Sequence, residues 1–87
     1  MKPDHKLIEE FADQIRGWRH TGRRDPTMTK LFSSDRKQLR SVLSLFRRGK
    51  YLEAGLEAHL LDTILRDVIP DRAWRYMNNA RTQERAQ

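Results

Sequence analysis

The chain has 87 residues, of which 37% are hydrophobic and 34% are charged, and its net charge is +6 without any cysteine. This length predicts a single domain, 1–87, with one modest core, and the lack of cysteine excludes disulfides and thiolate metal sites. No segment resembles a signal peptide and no run of about 18 apolar residues occurs, so we expect a soluble, cytoplasmic protein.

The positive charge is concentrated in one segment. Residues 21–50 contain nine Lys and Arg against two Asp, whereas residues 51–69 contain one Arg against four Asp and Glu. Residues 1–20 are neutral overall, and residues 70–87 carry a smaller positive excess. A localised positive field predicts an anionic partner, such as a nucleic acid or an acidic protein. A solvated arginine-rich surface without any partner is the alternative.

The first predicted helix covers about residues 4–19, with Asp4 as its N-cap. Its apolar side chains fall on one face, which we interpret as core: Leu7, Ile8, Phe11, Ile15 and Trp18. The segment 20–25 contains Gly22 and predicts a break. Asp25-Pro26 is then a second start signal, and a short helix over 27–32 would bury three apolar side chains: Met28, Leu31 and Phe32.

The next helix is predicted over about 35–48, capped by Ser33 or Ser34, and has two separate faces. Its apolar face consists of Leu39, Val42, Leu43 and Phe46. The opposite face carries four cations and two hydroxyl groups without any acid: Lys37, Arg40, Ser41, Ser44, Arg47 and Arg48. Gly49 is a typical helix end.

A helix predicted over 51–69 follows at once, so the two helices must form an antiparallel hairpin. This helix has two apolar stripes, which is typical of a buried helix with partners on two sides. The first stripe is Tyr51, Ala54, Ala58, Leu61, Leu65 and Val68. The second stripe is Leu52, Leu56, Leu60 and Ile64. Another helix or another subunit should cover the second stripe, which makes it a candidate protein interface.

Pro70 ends the second helix of the hairpin, and a last helix is predicted over about 71–82, followed by a frayed tail over 83–87. The fold class predicted by these elements is all-α. It is a small helical bundle built on the antiparallel hairpin of 35–48 and 51–69, with one helix added at each end.

The sequence contains no pattern typical of an enzyme or a metal site, and we expect no cofactor. His59, Asp62 and Arg66 are best interpreted as a polar strip on a helix. Glu53 and Glu57 lie four residues apart without a neighbouring histidine, which is too little for a metal site or an acid–base pair.

The basic strip over 37–48 predicts nucleic-acid binding, or a place in a nucleoprotein complex, because Arg and Ser side chains are frequent phosphate ligands. Arg23 and Arg24 are candidates to extend it. The second helix of the hairpin is acidic, which excludes it as a helix that reads the major groove. The alternative function is a regulator, inhibitor or adaptor that docks on an acidic protein, with a homodimer as one form. A membrane partner is not expected, because the hairpin uses the apolar face of the basic helix.

Overall fold

The computed structural model describes the backbone of residues 4–24 and 33–86 and the side chains of residues 4–17 and 33–83. This part of the chain forms five helices and no strand: α1 (His5–Arg24), α2 (Ser33–Arg47), α3 (Tyr51–His59), α4 (Thr63–Arg66) and α5 (Asp71–Ala86). The predicted all-α bundle is therefore confirmed. The short helix predicted over 27–32, with Met28, Leu31 and Phe32, lies outside the described residues.

α1 begins at the predicted cap and ends later than predicted. The Oδ1 atom of Asp4 accepts a hydrogen bond from the backbone N–H of Leu7 at 2.8 Å, which satisfies one of the free amides of the first turn. The break predicted at Gly22 is wrong, because α1 continues to Arg24. One glycine inside a helix costs only about 1 kcal/mol, which the rest of the helix can offset.

The turn between α2 and α3 is a Schellman motif. Gly49 has a φ of +79°, a left-handed conformation that glycine adopts without steric strain. The Lys50 N–H donates to the Leu45 carbonyl at 2.9 Å, and the Gly49 N–H donates to the Phe46 carbonyl at 3.0 Å. These two bonds satisfy carbonyl groups at the end of α2, and the turn reverses the direction of the chain so that α3 runs antiparallel to α2. The predicted antiparallel hairpin is therefore confirmed.

The second arm of the hairpin is not the continuous helix predicted over 51–69. α3 ends at His59, and the N–H groups of Leu60 and Leu61 bond three residues back, as in a 3₁₀ turn. Asp62 then adopts an extended ψ of 152° and begins α4. A 19-residue helix would be about 28 Å long against about 22 Å for α2. The break lets the apolar residues after it fold back onto the core: Leu65, Val68 and Ile69.

In the core, α3 lies between α2 and α5, and α1 packs against α2 and, less extensively, against α5. Phe46 is fully buried, and its ring centroid lies 5.9 Å from Phe11, 5.2 Å from Tyr51 and 5.9 Å from Tyr76. One residue of α2 thus contacts aromatic rings from three other helices. These contacts fix how α1, α3 and α5 sit around α2.

Two ion pairs connect the start of α5 to α1. The guanidinium of Arg72 lies 3.6 Å from a carboxylate oxygen of Asp4 and 3.5 Å from one of Glu10. α5 starts after Pro70, whose carbonyl accepts from the N–H groups of Ala73 and Trp74. α5 continues to Ala86, beyond the predicted end at residue 82.

Candidate nucleic-acid interface

α2 presents one exposed face that carries Lys, Arg and Ser side chains. Its apolar residues recur three and four positions apart, so burying them turns the other residues toward solvent. The buried residues are Leu39, Val42, Leu43 and Phe46. The residues of the predicted basic strip are all exposed, with Arg48 just beyond the end of α2, and we call them the basic face: Lys37, Arg40, Ser41, Ser44, Arg47 and Arg48.

The basic face is divided between two grooves. Arg40, Ser44 and Arg47 line the groove between α1 and α2, whereas Ser41 lines a groove toward α3. The Ser41 hydroxyl donates to the carbonyl oxygen of Lys37 at 3.2 Å. Because that proton is already engaged within α2, Ser44 is the serine better placed to donate a hydrogen bond to an anion.

The groove between α1 and α2, which we call the arginine groove, has a volume of about 280 Å³. Its lining residues are Ala12, Ile15, Arg16, Arg40, Leu43, Ser44 and Arg47. Ile15 and Leu43 are buried and form an apolar floor, and the three arginines are exposed at the rim. No carboxylate is among these lining residues. The groove therefore combines a positive rim with an apolar base.

Arg16 is a functional candidate that the sequence alone did not identify. It lies on α1, in a segment whose charges balance overall, and only the packing of α1 on α2 brings it to Arg40 and Arg47. Its position next to Ile15, a predicted core residue, was the one available signal that it lies at the edge of the α1 interface.

The three arginines of the groove differ in the charges around them. Arg16 forms an ion pair with Asp13, one turn earlier on α1. Arg40 and Arg47 form no ion pair with any residue in the described part of the chain. Exposed guanidinium groups without a carboxylate partner keep their hydrogen-bond donors available for an anion. Arg40 and Arg47 are therefore the strongest anion ligands of the groove.

Arg23 and Arg24 occupy the last turn of α1. Their backbone belongs to the same helix as Arg16, but their side chains are outside the described ones. Their predicted contribution to anion binding therefore stays a prediction.

The second predicted stripe is not covered by any helix of the described chain. Leu60 is 86% exposed, Leu56 is 55% exposed and Ile64 is 42% exposed, while Leu52 is half-buried. We call these four residues the apolar strip. α3 does have partners on two sides, as predicted, but α2 and α5 both contact its other faces. No described helix therefore covers the strip, and the other predicted covering, another subunit, stays a prediction.

The polar residues predicted to form one strip, His59, Asp62 and Arg66, are divided by the break between α3 and α4. The His59 ring contacts the Trp74 ring of α5 in a tilted arrangement, with ring centroids 5.2 Å apart. The indole N–H of Trp74 donates to the Arg66 carbonyl at 3.4 Å, and the Arg66 guanidinium donates to the Thr63 hydroxyl at 3.3 Å. The bond from Trp74 to Arg66 connects α5 to α4, and the ring contact between His59 and Trp74 connects α3 to α5.

Among the residues that the structure describes, no group of three His, Asp or Glu side chains is arranged to hold a metal ion. The described helices also include none with the length and apolar character needed to cross a bilayer. No protein-family model, no curated protein and no solved structure matches this chain.

Proposed function

We propose that the protein binds the phosphate backbone of a nucleic acid through the basic face of α2 and the arginine groove. The observation that carries this proposal is the convergence of Arg16, Arg40 and Arg47 on one groove that no carboxylate lines. Arginine presents a planar fork of donors that matches phosphate oxygens, and a serine hydroxyl is a common additional phosphate contact.

The shape of the cationic surface favours an extended polyanion over a small anion. The cations from Lys37 to Arg48 lie along one side of α2, and eleven residues of helix correspond to about 16 Å. A nucleic-acid strand offers a phosphate to each of several cations along such a line, whereas one compact anion reaches only a few of them. Each phosphate neutralised by a cation releases counterions and adds to affinity at low salt.

The binding proposed here depends on charge and shape rather than on base sequence. α3, the helix that follows in the hairpin, exposes Glu53 and Glu57 and would be repelled by a phosphate backbone. α2 also carries an acidic residue, Asp35, in its first turn, the part of a recognition helix that usually contacts base edges. We therefore expect similar affinity for unrelated sequences of the same nucleic acid.

The test is a titration of labelled DNA and RNA, single- and double-stranded, at several salt concentrations. We expect log affinity to fall linearly with log salt concentration, with a slope that reports the number of neutralised phosphates. The double variant Arg40→Glu/Arg47→Glu should lose most of the affinity. The matched control is Lys6→Glu/Arg75→Glu, which changes the net charge equally at exposed positions outside the groove. Absence of binding at low salt, or equal loss in both double variants, would contradict the proposal.

The second candidate function is that of an adaptor or regulator that docks on an acidic protein through the same groove. The apolar floor formed by Ile15 and Leu43 favours it, because protein interfaces combine an apolar centre with a polar rim. The salt titration separates the two functions. Lack of nucleic-acid binding by a folded protein would favour the protein partner, and affinity purification with Arg40→Glu/Arg47→Glu as the negative control would be the next experiment.

A further inference from the structure

The apolar strip exposes three large aliphatic side chains on a small protein: Leu56, Leu60 and Ile64. Leu56 lies on α3, Leu60 is the C-cap residue that follows α3, and Ile64 lies on α4. Single exposed leucines are ordinary, but a contiguous row of large aliphatic side chains is typical of an interaction surface.

The two edges of the apolar strip carry opposite charge. The edge of the strip toward α2 carries the exposed residues Glu53 and Glu57, and Glu57 lines a groove together with Leu60. On the side toward α5, Arg81 lines a groove together with Leu52 and Leu56. Within the described residues neither Glu53 nor Arg81 forms an ion pair. Both charges are therefore free to meet a partner.

Arg81 lies level with the start of α3, because α5 runs antiparallel to α3. His59 at the end of α3 contacts Trp74, early in α5. Gly55 in the middle of α3 lies against Met77. One turn after Met77, Arg81 is beside Leu52, and Glu53 is the next residue of α3. Glu53 and Arg81 thus occupy the same level on opposite edges of the strip.

We propose that the apolar strip joins two copies of this chain in a symmetric dimer, with the two α3 helices side by side and parallel. A two-fold axis along the direction of α3 places the acidic edge of each copy opposite the basic edge of the other. Glu53 then faces Arg81 of the second copy, and the pair occurs twice. A two-fold axis across α3 would make the helices antiparallel and would place the Glu edges against each other.

The charge pattern favours a second copy over an unrelated partner. A two-fold interface uses the same patch on both subunits, so the patch must complement itself. An apolar centre with one acidic and one basic edge meets this condition in the parallel arrangement only. Leu56, near the middle of the strip, meets its own copy there, and Leu60 becomes buried.

The first experiment measures the mass of the protein in solution by sedimentation equilibrium over a range of concentrations. The chain has a mass of 10.4 kDa, and we expect a species of twice that mass. Leu60→Asp should weaken dimerisation by a factor of about ten or more, as expected for a central interface residue. The matched control is Asn79→Asp, which adds the same charge at an exposed position of α5 that lines no groove beside the strip. Circular dichroism checks that both variants remain helical.

The second experiment tests the parallel arrangement without changing an apolar residue. Glu53→Arg alone and Arg81→Glu alone each place like charges across both edges, so each variant should dimerise more weakly than the wild type. An equal mixture of the two restores an Arg–Glu pair at both edges, so the mixture should form heterodimers. A wild type that remains monomeric at every concentration would overturn the dimer. A wild-type dimer with no recovery in the mixture would overturn the parallel arrangement.

Discussion

Gly55 of α3 lies against Met77 of α5 so closely that a Cβ atom on Gly55 would stand 3.2 Å from the Cβ atom of Met77. Gly55 is buried between Ala54 and Ala58, which are also buried. This run of small residues lets the backbones of α3 and α5 approach each other. The contact sets the position of α5 and therefore of Arg81 beside the apolar strip.

Replacing Gly55 by Leu should destabilise the protein. The larger side chain would have to displace Met77, and overpacking of this kind costs about 1–3 kcal/mol. The matched control is Gly17→Leu on α1, where a Cβ atom would meet nothing within 4 Å. That change should raise the free energy of unfolding by about 0.5–1 kcal/mol, since leucine is the better helix former. Urea unfolding measures the free energy of unfolding of both variants. Equal changes in Gly55→Leu and Gly17→Leu would show that α3 and α5 are not in close contact.

Replacing Gly49 by Ala should also destabilise the protein. Gly49 has a φ of +79° at the end of α2, a conformation that costs a residue with a Cβ atom about 1–2 kcal/mol. Gly49→Asn should cost less, because asparagine tolerates the left-handed region better. Thermal or urea unfolding of the two variants checks the order. A Gly49→Ala variant as stable as the wild type would contradict the Schellman turn.

Tyr51 has a buried hydroxyl that has no hydrogen-bond partner in the described part of the chain. Leaving such a group unpaired costs about 1–3 kcal/mol, and replacing it by an apolar group of the same shape removes that cost. Tyr51→Phe should therefore keep the ring contacts with Phe46 and raise the free energy of unfolding at neutral pH by about 1 kcal/mol. A clear loss of stability in urea unfolding would show that the hydroxyl has a partner.

Stability should also fall at high pH because of Tyr51. Burial raises the pKa of the Tyr51 phenol above its ordinary value of 10.0, and the neighbouring Tyr76 raises it further. The folded state thus disfavours the phenolate, while the unfolded chain ionises near the ordinary pKa. The contribution of Tyr51 to the free energy of unfolding should be constant below about pH 10. It should decrease as the pH rises toward the pKa of Tyr51 in the folded state. The decrease should be smaller in Tyr51→Phe, and an identical decrease in both proteins would contradict the assignment.

Arg16 should contribute to nucleic-acid binding if the arginine groove is the binding site. Arg16→Gln removes one of the three guanidinium groups of the arginine groove. Affinity should therefore fall for nucleic acids of every sequence, and the slope of log affinity against log salt concentration should decrease by about one. Arg75→Gln, at an exposed position of α5 outside the groove, is the control with the same charge change. An unchanged slope in Arg16→Gln would remove α1 from the interface.

The local pattern of α2 was sufficient to predict its two faces, although the predicted caps Ser33 and Ser34 lie inside the helix, which ends at Arg47 rather than at residue 48. The four apolar residues of its predicted core face are all buried, and all six residues of the basic face are exposed. The turn at Gly49 was predicted equally well. A glycine just past the last turn of a helix usually ends that helix, and the apolar pattern of the next helix starts directly after it. In each case the deciding interactions lie within a few residues along the chain.

The second arm of the hairpin shows where local pattern was not enough. Leu61, Leu65 and Val68 keep helical spacing across the break, so the continuous and the broken helix have the same apolar pattern. Whether the helix is continuous or broken depends on whether these side chains reach the core. The length of α2 and the position of α5 decide whether they do. The same non-local packing brought Arg16 to Arg40 and left the apolar strip uncovered.

The sequence by itself determined the all-α class, the hairpin at Gly49, the core face of α2 and the identity of the cations opposite it, because these follow from helical periodicity and local backbone preferences. The tertiary structure decided what meets across helices: the arginine groove between α1 and α2, the break after His59 and the exposure of Leu56 and Leu60. Contacts between residues far apart in the chain depend on how helices pack around Phe46 and Gly55, and helical periodicity contains no information about that packing.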